Sequence, residues 1–289
     1  MKKILMRAGP GFIILAVVWK FWLCPGLLQR IPAGWQWQAN FIGIQAVPEK
    51  AGGQFFTKES TSIYLRKAAV VADRQRPASV LIEDRFTILN PADKKVVWEY
   101  VYQADVASRT GRHLKPEWQD DYYLFPRFIE KKSYRLRNNY LRGVPLAYQK
   151  EEMVEGLTTY LFAYKGRGEY TQSYAGSTEY PGIRVEPGQE ISCADDQFLF
   201  KVWVEPVTGE IIKLQESCLS GDYIHDIGTG KPLAPVLRWS GMTAGDDVAH
   251  RAEKVRGERL RLLLIGTWLP LALLTCGLVL LGWGIKEKA

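Results

Sequence analysis

An uncharged run, Leu262 to Ile285, limits what this chain can fold into more than any other feature. A helix rises about 1.5 Å per residue, so a helix of this length crosses a hydrocarbon core of about 30 Å. Gly266 and Pro270 are compatible with such a helix, because membrane helices contain more Gly and Pro than soluble ones. The run therefore predicts a transmembrane helix over residues 262–285.

The composition indicates that most of the remaining chain is not membrane-embedded. The 289 residues are 47% hydrophobic with a mean hydropathy of -0.15, which is typical of a globular protein. The net charge of +7 comes from scattered Lys and Arg residues rather than from a basic block with interleaved aromatic residues. This pattern predicts no nucleic-acid partner and suits an anionic membrane surface.

A second apolar stretch lies near the N-terminal end of the chain and follows basic residues, which is the layout of a signal peptide or a signal anchor. The residues before Cys24 are bulky, and Leu23 stands where a lipoprotein signal has a small residue. Cleavage is therefore disfavoured. We predict an uncleaved first transmembrane helix over residues 10–29.

Two transmembrane helices place both ends of the chain on the same side of the membrane. Basic tails favour the cytoplasm, and long loops translocate largely regardless of their charge. The tails, 1–9 and 286–289, carry most of their charge as lysine and arginine: Lys2, Lys3, Arg7, Lys286 and Lys288. The sequence thus predicts a plasma-membrane protein with cytoplasmic termini and an extracytoplasmic domain over residues 30–245.

The domain is predicted to be mainly β (α+β), with a curved antiparallel sheet. Residues 35–47, 62–71, 79–89 and 95–106 are rich in β-branched and aromatic residues and are separated by turn-forming Pro and Gly. Two hairpins follow, one around Glu155-Gly156 and one around the turn Pro206 to Gly209, whereas residues 166–189 are predicted to form a loop.

Residues 110–142 form a charged, aromatic stretch without a steady period. Aromatic bodies beside basic tips suit an amphipathic boundary, so this stretch is a candidate surface for lipid head groups or a protein partner. The alternative is that the aromatic residues pack beneath a covering loop. The candidate residues are Trp118, Tyr122, Tyr123, Phe125, Arg127 and Phe128.

A basic juxtamembrane helix is predicted over residues 246–261, where Asp246 or Asp247 could cap the first turn. Its basic residues are candidates for contact with anionic head groups, each contributing about 1 kcal/mol. They are Arg251, Lys254, Arg256, Arg259 and Arg261. The alternative is a solvated linker helix whose charges are offset by Glu253 and Glu258.

The domain has few of the residue patterns that are typical of enzymes or metal sites. Cys193 and Cys218 flank a predicted hairpin, which an oxidising compartment would allow to be closed by a disulfide; two buried thiols are the alternative. The three histidines are widely separated, and paired carboxylates such as Asp195-Asp196 fall where loops or helix starts are expected. We therefore expect no enzyme activity, no catalytic residues, no bound metal and no cofactor.

Three segments carry a resemblance to a known family. They are Leu124-Phe125-Pro126 with the following Lys132-Ser133-Tyr134, then Glu152 to Phe162, and finally Val202 to Ile212. Together with the apolar segment at each end, these segments resemble the porin PorA-like family of double-anchored bacterial envelope proteins. The resemblance implies a cell-envelope protein and implies no catalytic residues.

These features lead to an expected function of binding or assembly in the envelope. A curved sheet held close to a bilayer can present an apolar concavity, so the favoured ligand is membrane lipid or another amphiphile. The alternatives are a structural or scaffolding subunit with envelope protein partners, and a homo-oligomer that forms a channel.

Overall fold

A computed structural model describes most of the chain: residues 2–24, 28, 30–32, 34–47, 58–73, 78–137, 143–173, 178–180, 183–218, 221–226, 229 and 231–286. The predicted turn at 48–53 and part of the predicted first transmembrane segment, residues 25–27 and 29, lie outside these ranges.

The C-terminal helix is long and continuous. Helix α2 (Gly245–Leu263) passes through a π-helical turn (Leu264–Trp268) into α3 (Leu269–Lys286). Among the described helices, this is the one that has the length and hydropathy needed to cross a membrane. The juxtamembrane helix and the apolar run are therefore parts of one rod, and neither Asp246 nor Asp247 is the N-cap, because Ala244 occupies that position.

The N-terminal helix α1 (Lys2–Val18) continues as a π-helical turn (Trp19–Leu23), and its apolar part, Ala8–Leu23, is shorter than the C-terminal one. It runs antiparallel to α3. Trp19 Nε1 donates to the carbonyl oxygen of Ile265 at 2.9 Å, and Lys20 Nζ donates to that of Gly266 at 2.7 Å. A Cβ added at Gly277 would lie 2.9 Å from the carbonyl oxygen of Gly9, so the absence of side chains at both positions permits the close approach.

Over the residues that the structure describes, the alternating sequence forms thirteen strands. They are β1 (Gln36–Val47), β2 (Lys58–Asp73), β3 (Ser79–Leu89), β4 (Val96–Ala107), β5 (Tyr134–Leu136), β6 (Val144–Val154), β7 (Leu157–Ser173), β8 (Thr178–Tyr180), β9 (Ile183–Val185), β10 (Glu190–Val204), β11 (Ile211–Cys218), β12 (Asp222–His225) and β13 (Pro232–Thr243).

Eleven of these strands form one antiparallel sheet in the order β4-β3-β2-β1-β13-β11-β10-β7-β6-β5, with β12 pairing to β10 and β13. The N-terminal meander is joined to the rest through β1 and β13, whose pairing begins at Phe41 and Thr243. Bulges interrupt several ladders, for example between Asp195 and Phe198. Bulges bend strands and increase their twist, so they are a local source of bending in this sheet.

One face of the sheet is buried under the aromatic stretch that follows β4. Phe125 is fully buried, and its ring lies 5.2 Å from that of Phe162 on β7 and 5.5 Å from that of Tyr134 on β5. Further along the same face, Tyr123 Oη donates to Asp84, which also accepts two hydrogen bonds from Arg66. The stretch is thus a covering layer whose aromatic residues complete the core.

Candidate functional site

A cleft of about 1310 Å³ lies between strand β1 and helix α2, directly above the apolar run of the C-terminal helix. Strand β13 pairs with β1 only from Phe41 onward. Before Phe41, α2 takes the place of a neighbouring strand along that edge. The cleft is the space that remains because a helix cannot match the edge of a strand residue by residue.

Side chains of α2 satisfy part of the exposed edge of β1. The N–H of Asn40 donates to Asp247 Oδ2 at 2.5 Å, and its carbonyl oxygen accepts the N–H of Ala244 at 2.8 Å. One step further along, Arg251 donates to the carbonyl oxygen of Gln38. The acidic residue in the first turn of α2 and the arginine one turn later therefore dock the helix onto the strand.

Arg251 also packs against the indole of Trp37, with its Cζ 4.2 Å from the ring centroid. Burial lowers the pKa of Arg251 to about 10, although the carboxylates of Glu210 and Asp247 act in the opposite direction. An aromatic face and nearby carboxylates are what a buried guanidinium needs to stay charged. Arg251 remains a cation at neutral pH.

A second buried arginine closes one side of the cleft. Arg30 is 1% exposed, and it donates to Glu210 at 2.5 Å, to the carbonyl oxygen of Phe125 at 2.7 Å and to that of Gly209 at 3.1 Å. Burial disfavours the charged form of Glu210, but Arg30 together with Arg251 and Lys254 outweighs this effect, so the pKa of that carboxyl lies below its usual value. Arg30 thereby ties the covering layer to the turn between β10 and β11.

The turn between β10 and β11 holds its shape through Glu205. One oxygen of this fully buried carboxylate accepts hydrogen bonds from the N–H and the hydroxyl of Thr208, at 2.7 and 2.9 Å. Gly209 has φ +72°, and a Cβ there would lie 2.2 Å from the carbonyl oxygen of Pro126. The segments that carry the family resemblance, 124–126 and 202–212, thus meet in space at this turn.

The remaining segment, Glu152 to Phe162, contacts the other side of α2. Leu157, at the start of β7, packs with Ile212 against Val248, Ala252 and Val255 of the helix. The preceding turn has positive φ at both central residues, Glu155 (48°) and Gly156 (70°).

The predicted membrane-facing basic helix is corrected by these contacts at three of its five residues. Arg251 is buried against the domain, Arg256 donates to the carbonyl oxygen of Glu155, and Arg259 pairs with Glu205 at 3.4 Å. All three dock the helix onto the domain, because their partners lie on strands or turns far away in sequence. Lys254 and Arg261 are exposed and line the cleft.

The predicted surface for head groups or a partner is also largely corrected. Tyr123 and Phe125 are core residues, and Tyr122 is half-buried against the same core. Trp118 lies between Lys115 and Arg137, with the lysine Nζ 4.1 Å from its ring centroid. Packing beneath a covering layer is the arrangement found.

Arg127 and Phe128 lie elsewhere, next to the C-terminal helix. Arg127 lines the cleft and donates to Glu258 at 2.6 Å. Phe128 is 49% exposed and has φ 53°, a conformation held by the bond from its N–H to the carbonyl oxygen of Val207. Its Cζ would lie 4.0 Å from a Cβ at Gly266, one turn into the apolar run.

The disulfide allowed by the sequence is not formed. Cys193 and Cys218 are two separate buried thiols in different core clusters. Cys218 lies opposite Phe198 on β10, five positions along the strand from Cys193. Five positions along a strand span roughly 16 Å, whereas a disulfide needs Cα atoms within about 7 Å.

Two further expectations concern ligands. Over the described ranges, no group of three or more His, Cys, Asp or Glu side chains could hold a metal ion. The pocket on the sheet between Tyr64 and Trp239 holds about 10 Å³, so it is not the apolar concavity expected there. That is room for about one water molecule.

Comparison with known protein families identifies a relationship for this chain. A family model described as Porin PorA matches residues 119–286, which is more than half of the chain and contains all three segments singled out above. No curated protein matches the sequence.

Proposed function

Because the chain belongs to the Porin PorA family, we propose that it is a membrane protein of the cell envelope that binds a lipid or another amphiphile in the cleft between β1 and α2. Membership of the family and one helix able to cross a membrane indicate membrane association. The observation that carries the proposal is the position of the cleft, which joins the domain to the apolar run.

The lining of the cleft combines apolar and polar residues. Leu28 and Leu262 are apolar, and Leu262 is the first residue of the apolar run, whereas Gln36, Lys67 and Lys254 are polar or charged. An amphiphile has the same division between an apolar part and a polar part. The volume exceeds that of an ordinary small-molecule pocket, so a head group and the upper part of an acyl chain would fit.

The topology proposed with this function has two membrane-spanning helices, cytoplasmic termini and an extracytoplasmic domain. The antiparallel packing of α1 against α3 supports it, since a partner helix in the bilayer needs close backbone approach and hydrogen bonds of this kind. A protease added to spheroplasts should digest the domain and leave the helices. An undigested domain would reverse the proposed orientation.

The lipid proposal is tested by extracting the full chain in mild detergent and identifying co-purified lipids by mass spectrometry. Gly257 lines the cleft, and a Cβ there would meet nothing within 4 Å, so Gly257→Trp adds a bulky side chain to the lining of the cleft from an unobstructed position. Gly245→Trp is the matched control, because Gly245 lies on the same helix, has the same open space and is outside the cleft.

We expect a defined lipid to co-purify with the natural chain and with Gly245→Trp, and its amount to fall by roughly tenfold in Gly257→Trp. No co-purified amphiphile, or an equal amount in the two variants, would rule out the cleft as a lipid site.

A further inference from the structure

The charges of the cleft divide into two groups. Arg30 and Arg127 are already neutralised by carboxylates, Glu210 and Glu258, at 2.5 and 2.6 Å. Arg251 is held by the edge of β1 and faces Asp247 and Glu210. These arginines form the walls of the cleft, and their positive charges are largely balanced by carboxylates of the protein itself.

Three further cations line the cleft: Lys67 of β2, together with Lys254 and Arg261 of α2. All three are exposed. Over the part of the chain that the structure describes, none of them forms an ion pair within 4.0 Å. Six cationic side chains and three carboxylates line the cleft, so its lining carries an excess of positive charge.

The edge of β1 adds hydrogen-bond donors. The N–H and C=O of Asn40 both point toward α2, and so does the C=O of Gln38, because each of these groups forms a hydrogen bond with α2 or with its N-cap residue. Backbone groups alternate sides along an antiparallel strand. The N–H groups of Gln36 and Gln38 consequently point in this same direction, and both residues line the cleft.

Resting on the proposed lipid site, we infer that the cleft recognises a phosphate-bearing lipid head group, with Lys67, Lys254 and Arg261 supplying charge and the β1 edge supplying N–H donors. A phosphate group combines multiple negative charge with several strong acceptor oxygens, which matches several cations beside a row of amide donors. Leu28 and Leu262, which also line the cleft, assign this phosphate to a lipid rather than to a free ion.

The test measures lipid binding to the full chain in detergent by native mass spectrometry. The probes are phosphatidic acid and a diacylglycerol with the same acyl chains, which differ only in the phosphate. Each cation near such a group contributes about 1 kcal/mol, and about 1.4 kcal/mol corresponds to tenfold, so phosphatidic acid should bind about a hundredfold more tightly. Lys254→Gln alone should weaken its binding about fivefold.

The variant Lys67→Gln/Lys254→Gln/Arg261→Gln should remove nearly all of the preference for phosphatidic acid. Its matched control is Lys165→Gln/Lys231→Gln/Arg109→Gln, which removes the same charge from exposed positions outside the cleft and should retain the preference. Far-ultraviolet circular dichroism checks that both variants are folded.

The outcomes separate this inference from the lipid proposal. Equal binding of the two lipids to the natural chain would overturn phosphate recognition while leaving lipid binding in place. Binding of neither lipid would overturn both. If inorganic phosphate alone binds as tightly as phosphatidic acid and displaces it, the site takes free phosphate and the assignment to a lipid is wrong.

Discussion

The inner face of the sheet and the cleft behind helix α2 share strand β1 and differ in how the strand is covered. On the inner face, Ala39 and Phe41 are buried with Phe125 and Phe162, and aromatic rings fill the space. In the cleft, the edge at Gln36 and Gln38 faces a helix across a large open volume. A strand neighbour or a ring layer closes space, whereas a helix along a strand edge leaves room for a ligand.

The difference in covering predicts a difference in sensitivity to mutation. Residues of the inner face should determine stability, and residues of the cleft should determine binding.

Phe162→Ala should destabilise the chain by about 4 kcal/mol, because it leaves a cavity against Phe125 and Tyr134 in a fully buried site. Gln36→Ala, in the cleft, should change the unfolding free energy by less than about 0.5 kcal/mol. Denaturant unfolding of the detergent-solubilised full chain measures both. Similar losses of unfolding free energy in the two variants would show that the inner face and the cleft do not differ in their contribution to stability.

Arg30→Met tests the boundary between the two regions and should lower the free energy of unfolding by about 3 kcal/mol at neutral pH, since it leaves the Glu210 carboxylate without its hydrogen-bonded cation. The pKa of Glu210 is lowered in the natural chain, so this ion pair stabilises above the ordinary glutamate pKa and is lost as the pH falls through the lowered value.

Without Arg30, burial should raise the pKa of Glu210, and the penalty should shrink as the pH falls toward the ordinary glutamate value. The double variant Arg30→Met/Glu210→Gln should recover part of the loss at neutral pH. A penalty independent of pH and unchanged in the double variant would show that the pair contributes packing alone.

Arg259→Gln should cost about 1–2 kcal/mol, because it removes the cation that faces the fully buried Glu205 carboxylate. Arg109→Gln is the exposed control and should be neutral. Equal thermal unfolding midpoints for Arg259→Gln and Arg109→Gln would mean that the ion pair between Arg259 and Glu205 does not help to hold α2 against the domain.

Phe128 allows a prediction about how close the domain lies to the bilayer, rather than about stability. A spin label at Phe128→Cys, in a chain whose four natural cysteines are replaced, should be more accessible to oxygen than to a water-soluble nickel reagent, because the ring lies beside Gly266 in the apolar run. Met153→Cys, on an exposed strand end, should show the reverse. A water-like signal at position 128 would place the domain farther from the bilayer.

The sequence predicted those parts of the fold that local patterns determine. Strands β1 to β4 begin and end close to the predicted positions, and the turn at Glu155-Gly156 has the positive φ values of a tight hairpin. The loop predicted over residues 166–189 is wrong at its start. There, residues 168–173 of β7 pair with 190–195 of β10, because cross-strand pairing outweighs the local preference of Gly and Ser.

The candidate site could be predicted only in part. Helical spacing identified the basic residues of α2, but their partners, Gln38, Glu155 and Glu205, are more than fifty positions away and give no local signal. The cleft itself depends on where β13 stops pairing with β1, which is a matter of register between distant segments. That Lys67 and Lys254 line the same cleft can be recognised only after this register is known.

Photocrosslinking in native membranes tests the cleft most directly. A benzophenone amino acid at Gln36, inside the cleft, is compared with one at Leu199, which lies on β10 outside the cleft lining. If lipid occupies the cleft, a covalent phospholipid adduct should form at position 36, with little or none at position 199. Equal adducts at both positions, or none at position 36, would show that the cleft is not a lipid site.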